Sequence, residues 1–116
     1  MKYLFTLILT LFLTYTFAQN PKIEVLQINA NWNKHNDILL NRIPKNYKGY
    51  FIEVKYALIE DQGPEFKKSF ASKPLPIVVL RVGNNTKYQW TADLSFKLKL
   101  GAHDVLGTID KVLNLK

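Results

Sequence analysis

Trp32-Asn33-Lys34-His35-Asn36 is the stretch whose reading decides the fold. An apolar run precedes it, with Ile23, Val25, Leu26 and Ile28. It is β-branched-rich and nearly continuous, the pattern of a short strand buried on both faces. After it, Ile38, Leu39, Leu40 and Ile43 recur at helical spacing, which predicts a helix over 37–43. Pro44 would end or kink that helix, because proline lacks the backbone donor and clashes with the preceding turn. The polar residues 29–36 are turn-prone and would join the two elements.

Working outward, residues 1–18 read as a signal peptide. Lys2 gives a positive n-region, residues 3–17 are largely apolar, and Thr16-Phe17-Ala18 places small residues where a signal peptidase cuts. The apolar run is short for a membrane span, which needs roughly 20 residues. Cleavage after Ala18 and export to the periplasm or medium are therefore expected, with an uncleaved signal anchor as the alternative. Residues 19–116 would then form one domain, with no membrane association after cleavage. There is no cysteine in the chain, so neither a lipoprotein anchor nor a disulfide framework is available. An exported domain of this size must then rest on packing alone.

The formal net charge is +7, from 16 basic and 9 acidic residues. Lys22, Lys34, Lys45, Lys48, Lys55, Lys87 and Lys111 are scattered, and only Lys67-Lys68 are adjacent. A binding footprint for nucleic acid is marked by density of charge on one patch. Solubility is the simpler reading of this spread, so no specific nucleic-acid partner is expected. A basic binder of anionic surfaces stays open as an alternative.

Residues 50–59 alternate, with Ile52, Val54, Tyr56 and Leu58 on one strand face and Glu53 and Lys55 on the other. Asp61-Gln62-Gly63-Pro64 turns into a short helix with proline at its first position, and Phe66 and Phe70 would share its buried side. Residues 77–82 form a second continuous apolar strand. Gly83-Asn84-Asn85-Thr86 signals a hairpin into the alternating residues 87–92. Residues 93–100 read as irregular. A closing helix over 104–113 carries Val105, Ile109, Val112 and Leu113 as one stripe, weakened by Gly107. The order is βαβαββα, an α/β fold with a small mixed sheet of about four strands flanked by helices.

That order, taken with three local motifs, resembles the thioredoxin-like superfamily in a shortened form lacking its first strand and helix. Residues 25–32 resemble the strand that delivers the active-site tryptophan. Leu75-Pro76-Ile77-Val78-Val79-Leu80 resembles the segment where a cis proline opens the central strand, and Gly83-Asn84 resembles the last hairpin turn. With residues 92–98, Ala-Asp-Leu-Ser-Phe-Lys-Leu, the chain is similar to a group of exported members from Bacteroidetes-type bacteria. The family's Trp-Cys-x-x-Cys motif is degenerate here, as Asn33 and Asn36 hold both sulfur positions.

The resemblance implies a redox site without its redox groups. Thiol–disulfide exchange needs one thiolate to attack and a second thiol to resolve the mixed disulfide. An amide does neither. As residues, Asn33 and Asn36 suit a helix cap or a turn. Gln27 stands where the family usually has a buried carboxylate that serves the resolving thiol. His35 sits where oxidising relatives carry a histidine, but it lacks a nucleophile or metal-ligand partner in sequence, as does His103, so it reads as an exposed residue at a helix start. Lys34 completes the motif.

No catalytic residue, metal ligand or cofactor is expected. The resemblance makes Trp32 a partly exposed platform and gives Leu75 and Pro76 a role in binding an extended peptide by strand pairing. The expected function is an exported, non-catalytic binding module for a protein or peptide. The alternative from enzyme chemistry is a redox-homeostasis protein whose cysteines come from a partner.

Overall fold

The computed structural model describes residues 20–115, so the signal peptide expected over 1–18 lies outside the described residues. Five strands form one sheet in the order β2-β3-β1-β4-β5. They are β1 (Ile23–Asn29), β2 (Asn46–Tyr47), β3 (Tyr50–Leu58), β4 (Ile77–Val82) and β5 (Asn85–Thr91). β1 and β3 are parallel, and every other pairing is antiparallel. Among the described residues, two α-helices accompany the sheet, α1 (Pro64–Phe70) and α2 (Ala102–Val112). No helix among the described residues is long and apolar enough to cross a membrane.

Strand alternation divides the core between the two faces. Val78, Leu80 and Val82 of β4 meet Ile23 and Val25 of β1, Ile52 of β3, and Val105 and Ile109 of α2. Leu40 and Ile43 complete this larger cluster. On the opposite face, Ile77 and Val79 join Ile28, Ala30 and Leu75 beneath Phe66 and Phe70 of α1. Burying each such aliphatic side chain contributes about 1.5–3 kcal/mol, so the α2 face carries most of the stabilisation. The rings of Phe66 and Phe70 lie 5.0 Å apart, as their four-residue spacing predicts. Pro64 opens α1, and the Asp104 carboxylate accepts the Gly101 N–H at 2.9 Å at the start of α2.

The first crossover departs from the expected helix. Residues 31–36 form a 3₁₀ helix instead, and Asp37 turns to extended backbone (φ −56°, ψ 143°). Beyond it no α-helix forms over 37–43. The cause is tertiary. The Gln27 side chain donates to the Ile38 carbonyl at 3.0 Å and accepts the Ile38 N–H at 2.7 Å, taking both groups a helix would use. Leu40 and Ile43 are buried while Leu39 is 81% exposed, so the apolar residues alternate around an irregular path.

The sheet also gains a fifth strand over the four expected. Tyr47-Lys48-Gly49-Tyr50 forms a tight hairpin with positive φ at Lys48 (49°) and Gly49 (86°), the requirement of a primed turn. Lysine at the first of these positions conceals the signal, since asparagine or glycine usually marks it. Tyr47 Oη donates to Asp110 at 3.0 Å and Lys48 pairs with the same carboxylate at 2.9 Å, tying the hairpin to α2. A further difference lies in β3. Ile52 is buried, but Val54 and Tyr56 on the same strand face are exposed, because no helix covers them.

Candidate functional site

The motif residues gather at the C-terminal end of β1, beside the residues that precede β4. Asn33 lies on the 3₁₀ helix yet is only 1% exposed. Its side-chain amide donates to Asn29 Oδ1 (3.1 Å), the Leu75 carbonyl (3.0 Å) and the Phe96 carbonyl (3.3 Å). Its own Oδ1 accepts from Asn36 Nδ2 at 2.7 Å. Asn29 in turn donates to the Asn33 carbonyl and the Asp37 carboxylate. The buried Asn29 and Asn33 thus find partners in each other and in the half-buried Asn36 and Asp37, as buried polar groups must.

This corrects the reading of Asn33 as a helix cap. The cap residue is Ala30, which makes no side-chain capping bond. Asn33 instead cross-links three segments remote in sequence. Sequence reasoning missed Asn29 altogether, although an asparagine ending an apolar strand is a place where a buried amide needs a partner.

Trp32 points the other way. It is 60% exposed, and its ring meets the Phe96 ring edge-on at 4.9 Å and 89°. Phe96 adopts a left-handed φ of 62°, which costs a non-glycine residue about 1–2 kcal/mol. The loop compensates through Asp93, whose carboxylate accepts from the Ser95 N–H (2.9 Å), the Ser95 hydroxyl (2.6 Å) and the Lys97 N–H (3.2 Å). The Ser95 and Lys97 bonds hold the Asp93 carboxyl below its ordinary value. Leu94, at the tip of this loop, is 90% exposed. Trp32, Leu94 and Phe96 are therefore three exposed apolar side chains on the rim of the motif, and Phe96 and Leu94 escaped the sequence reading.

The Leu75–Pro76 peptide bond is cis. Both residues are buried, and the Leu75 carbonyl is already occupied by Asn33. The Leu75 N–H has no hydrogen-bond partner among the described residues. A shallow depression of about 300 Å³ lined by Ser72, Pro74, Leu94 and Phe96 lies on one side of this corner. On the other, one of about 590 Å³ is lined by His35, Asn36, Asp37, Asp93 and Lys97.

Lys34 and His35 are exposed, and His35 Nε2 is 3.3 Å from Asn36 Nδ2. His103 pairs only with the neighbouring Asp104 among the described residues. Among those residues, too, no group of three or more His, Cys, Asp or Glu is placed to hold a metal ion. Gln27 is buried and serves the backbone of Ile38. Asp37 also accepts from Tyr56 Oη at 2.9 and 3.0 Å. Burial first, and then this carboxylate, push the Tyr56 phenol up to about 12. The corner therefore offers aromatic surface and one free backbone donor around a closed amide lattice.

No family model matches the chain, and no curated protein matches it. Solved structures do match. One is of thioredoxin-2 from the malaria parasite, described as a component of the parasite's protein secretion machinery. The two share 17% identity and superpose with a TM-score of 0.57, over 80% of this chain and 85% of that one. With the mixed sheet and flanking helices, this establishes a thioredoxin-like fold.

Proposed function

We propose that this chain is a short, exported, cysteine-less relative of thioredoxins that binds an extended peptide or protein segment and performs no thiol–disulfide exchange. The carrying observation is the division of labour within the motif. Trp32 is exposed and packed edge-on against Phe96, while Asn33 is buried and consumed by internal hydrogen bonds. Exposed aromatic surface contributes to partner binding by desolvation and contact area. A buried, fully bonded amide supplies neither a nucleophile nor an electron acceptor. The exposed Leu94 extends the apolar rim, and the Leu75 N–H can donate to one carbonyl of a bound strand.

The test is selection of peptides from a random display library on the immobilised protein. Enriched peptides should bind the wild type and lose at least tenfold in affinity with Trp32→Ala. Undiminished binding by that variant overturns the site. Turnover of insulin disulfides by the wild type, above a buffer blank, overturns the non-catalytic reading.

A further inference from the structure

Beyond its first three residues, β3 is an edge strand. β2 pairs only with Tyr50 and Phe51, and the N–H of Ile52 is taken by the Lys45 carbonyl at 2.7 Å. That bond shows that Ile52 directs its backbone groups away from β1. By the two-residue period, Val54, Tyr56 and Leu58 do the same. Among the described residues, the outward groups of Val54 and Tyr56 have no backbone partner. Val54 and Tyr56 are also exposed, at 41% and 45%. Along the edge runs an apolar groove of about 580 Å³, walled by Ile38, Leu40 and Ile43. An open apolar edge of this kind is a template for a further strand.

We infer that the strand it takes is β3 of a second copy of this chain, added antiparallel about a two-fold axis at Tyr56. The stretch runs from Val54 to Leu58, whose carbonyl also accepts the Gln62 side-chain amide at 3.2 Å, and Tyr56 is its midpoint. Tyr56 then meets Tyr56 of the second copy, and the outward N–H and carbonyl of each are exchanged. Each Val54 stands opposite Leu58, so the apolar side chains of both copies fall on the groove side. Lys55 stands opposite Ala57 and keeps its own pair with Glu24 at 2.9 Å.

The ends of the stretch also match. Lys45 blocks the edge beside Ile52, and β3 of the second copy ends at Leu58, where its chain turns into the 3₁₀ helix Ile59–Asp61. That turn brings the acidic Asp61 of each copy to Lys45 of the other, while Glu60 is turned towards the end of β1, where its carboxylate accepts the Asn31 N–H at 2.7 Å. Neighbouring registers fail. An axis at Lys55 opposes two lysines, and one at Val54 drives Tyr56 of the second copy onto Lys45. An axis at Ala57 sets Val54 against Glu60. Residues opposed about one point are the signature of an isologous interface.

Sedimentation equilibrium on the protein tests this. The wild type should be dimeric at tens of micromolar. Val54→Pro removes an outward donor at an edge position where proline is tolerated, and should be monomeric with an unchanged circular dichroism spectrum. Lys45→Glu sets a carboxylate against Asp61 twice and should weaken the dimer about tenfold. The double variant Lys45→Glu with Asp61→Lys should recover most of that loss. The recovery cannot come from an ion pair within one chain, because Asp61 lies roughly 20 Å along the strand direction from Lys45 of its own copy. A wild type that stays monomeric, a dimer that Val54→Pro leaves intact, or a double variant no better than the single one each overturns the proposal. The first of these would leave the edge to a foreign strand.

Discussion

Where the connection from β1 to β2 begins, it is held by amides: Asn29, Asn33 and Asn36 bond one another, and Asn33 reaches the Leu75 and Phe96 carbonyls. Farther on, the same connection is held by Leu40 and Ile43 in the apolar core, and beside it β3 keeps an open edge. The first region has directional bonds that are expensive to leave unmade, so it admits one conformation. The second has non-directional burial, which is satisfied by more than one backbone path. Polar groups decide geometry here, and apolar groups supply most of the energy.

The hardest blow to that contrast falls on Asn33. Its replacement by alanine strands the Leu75 and Phe96 carbonyls and the two neighbouring asparagine side chains without their donor or acceptor. Leaving buried polar groups unsatisfied costs about 1–3 kcal/mol each, and partial relaxation brings the expected loss to about 4 kcal/mol in urea unfolding. A loss under about 1 kcal/mol would mean that the amide lattice does not fix the motif.

In the apolar region, adjacent leucines should behave differently. Leu40→Ala is expected to cost about 3 kcal/mol through the cavity it leaves. Leu39→Ala, at a side chain 81% exposed, should cost less than about 0.5 kcal/mol. The same unfolding measurement separates them, and equal effects would restore a helical path for residues 37–43.

The smallest effect lies where the two regions meet, at the Tyr56–Asp37 bond. The folded phenol sits at about 12 against an ordinary 10.0. The proton is held more tightly in the folded state, so the contribution is complete below about pH 10 and is lost as pH rises from there towards about 12. Wild type should therefore lose more stability than Tyr56→Phe between about pH 8 and pH 11. Parallel losses would show that Tyr56 is not coupled to folding.

Four of the five strands were legible because their signal is local. β1 and β4 are continuous apolar runs, and Gly83-Asn84 marks the turn between β4 and β5, with Gly83 at φ 62°. Phe66 with Phe70, and Val105 with Ile109, likewise announced α1 and α2 by spacing. The first crossover was not legible, since Ile38, Leu40 and Ile43 fit a helix as well as an irregular path. What excludes the helix is Gln27, far back on β1, binding both backbone groups of Ile38. At the site, Trp32 and Leu75-Pro76 could be located from sequence, but Phe96 and Leu94 could not. Their place beside Trp32 depends on a left-handed turn held by Asp93, remote from the motif in sequence but adjacent in space.

By itself, the sequence determined the order of four strands and two α-helices, the mixed sheet and the lack of thiols, because hydrophobic period, turn chemistry and composition act over a few residues. Only the tertiary structure decided that Trp32 faces solvent while Asn33 is locked inside, and that β3 is left with an open edge. Those outcomes depend on which distant carbonyl meets which amide and on which strand finds a neighbour, and neither is written in any local stretch of the chain.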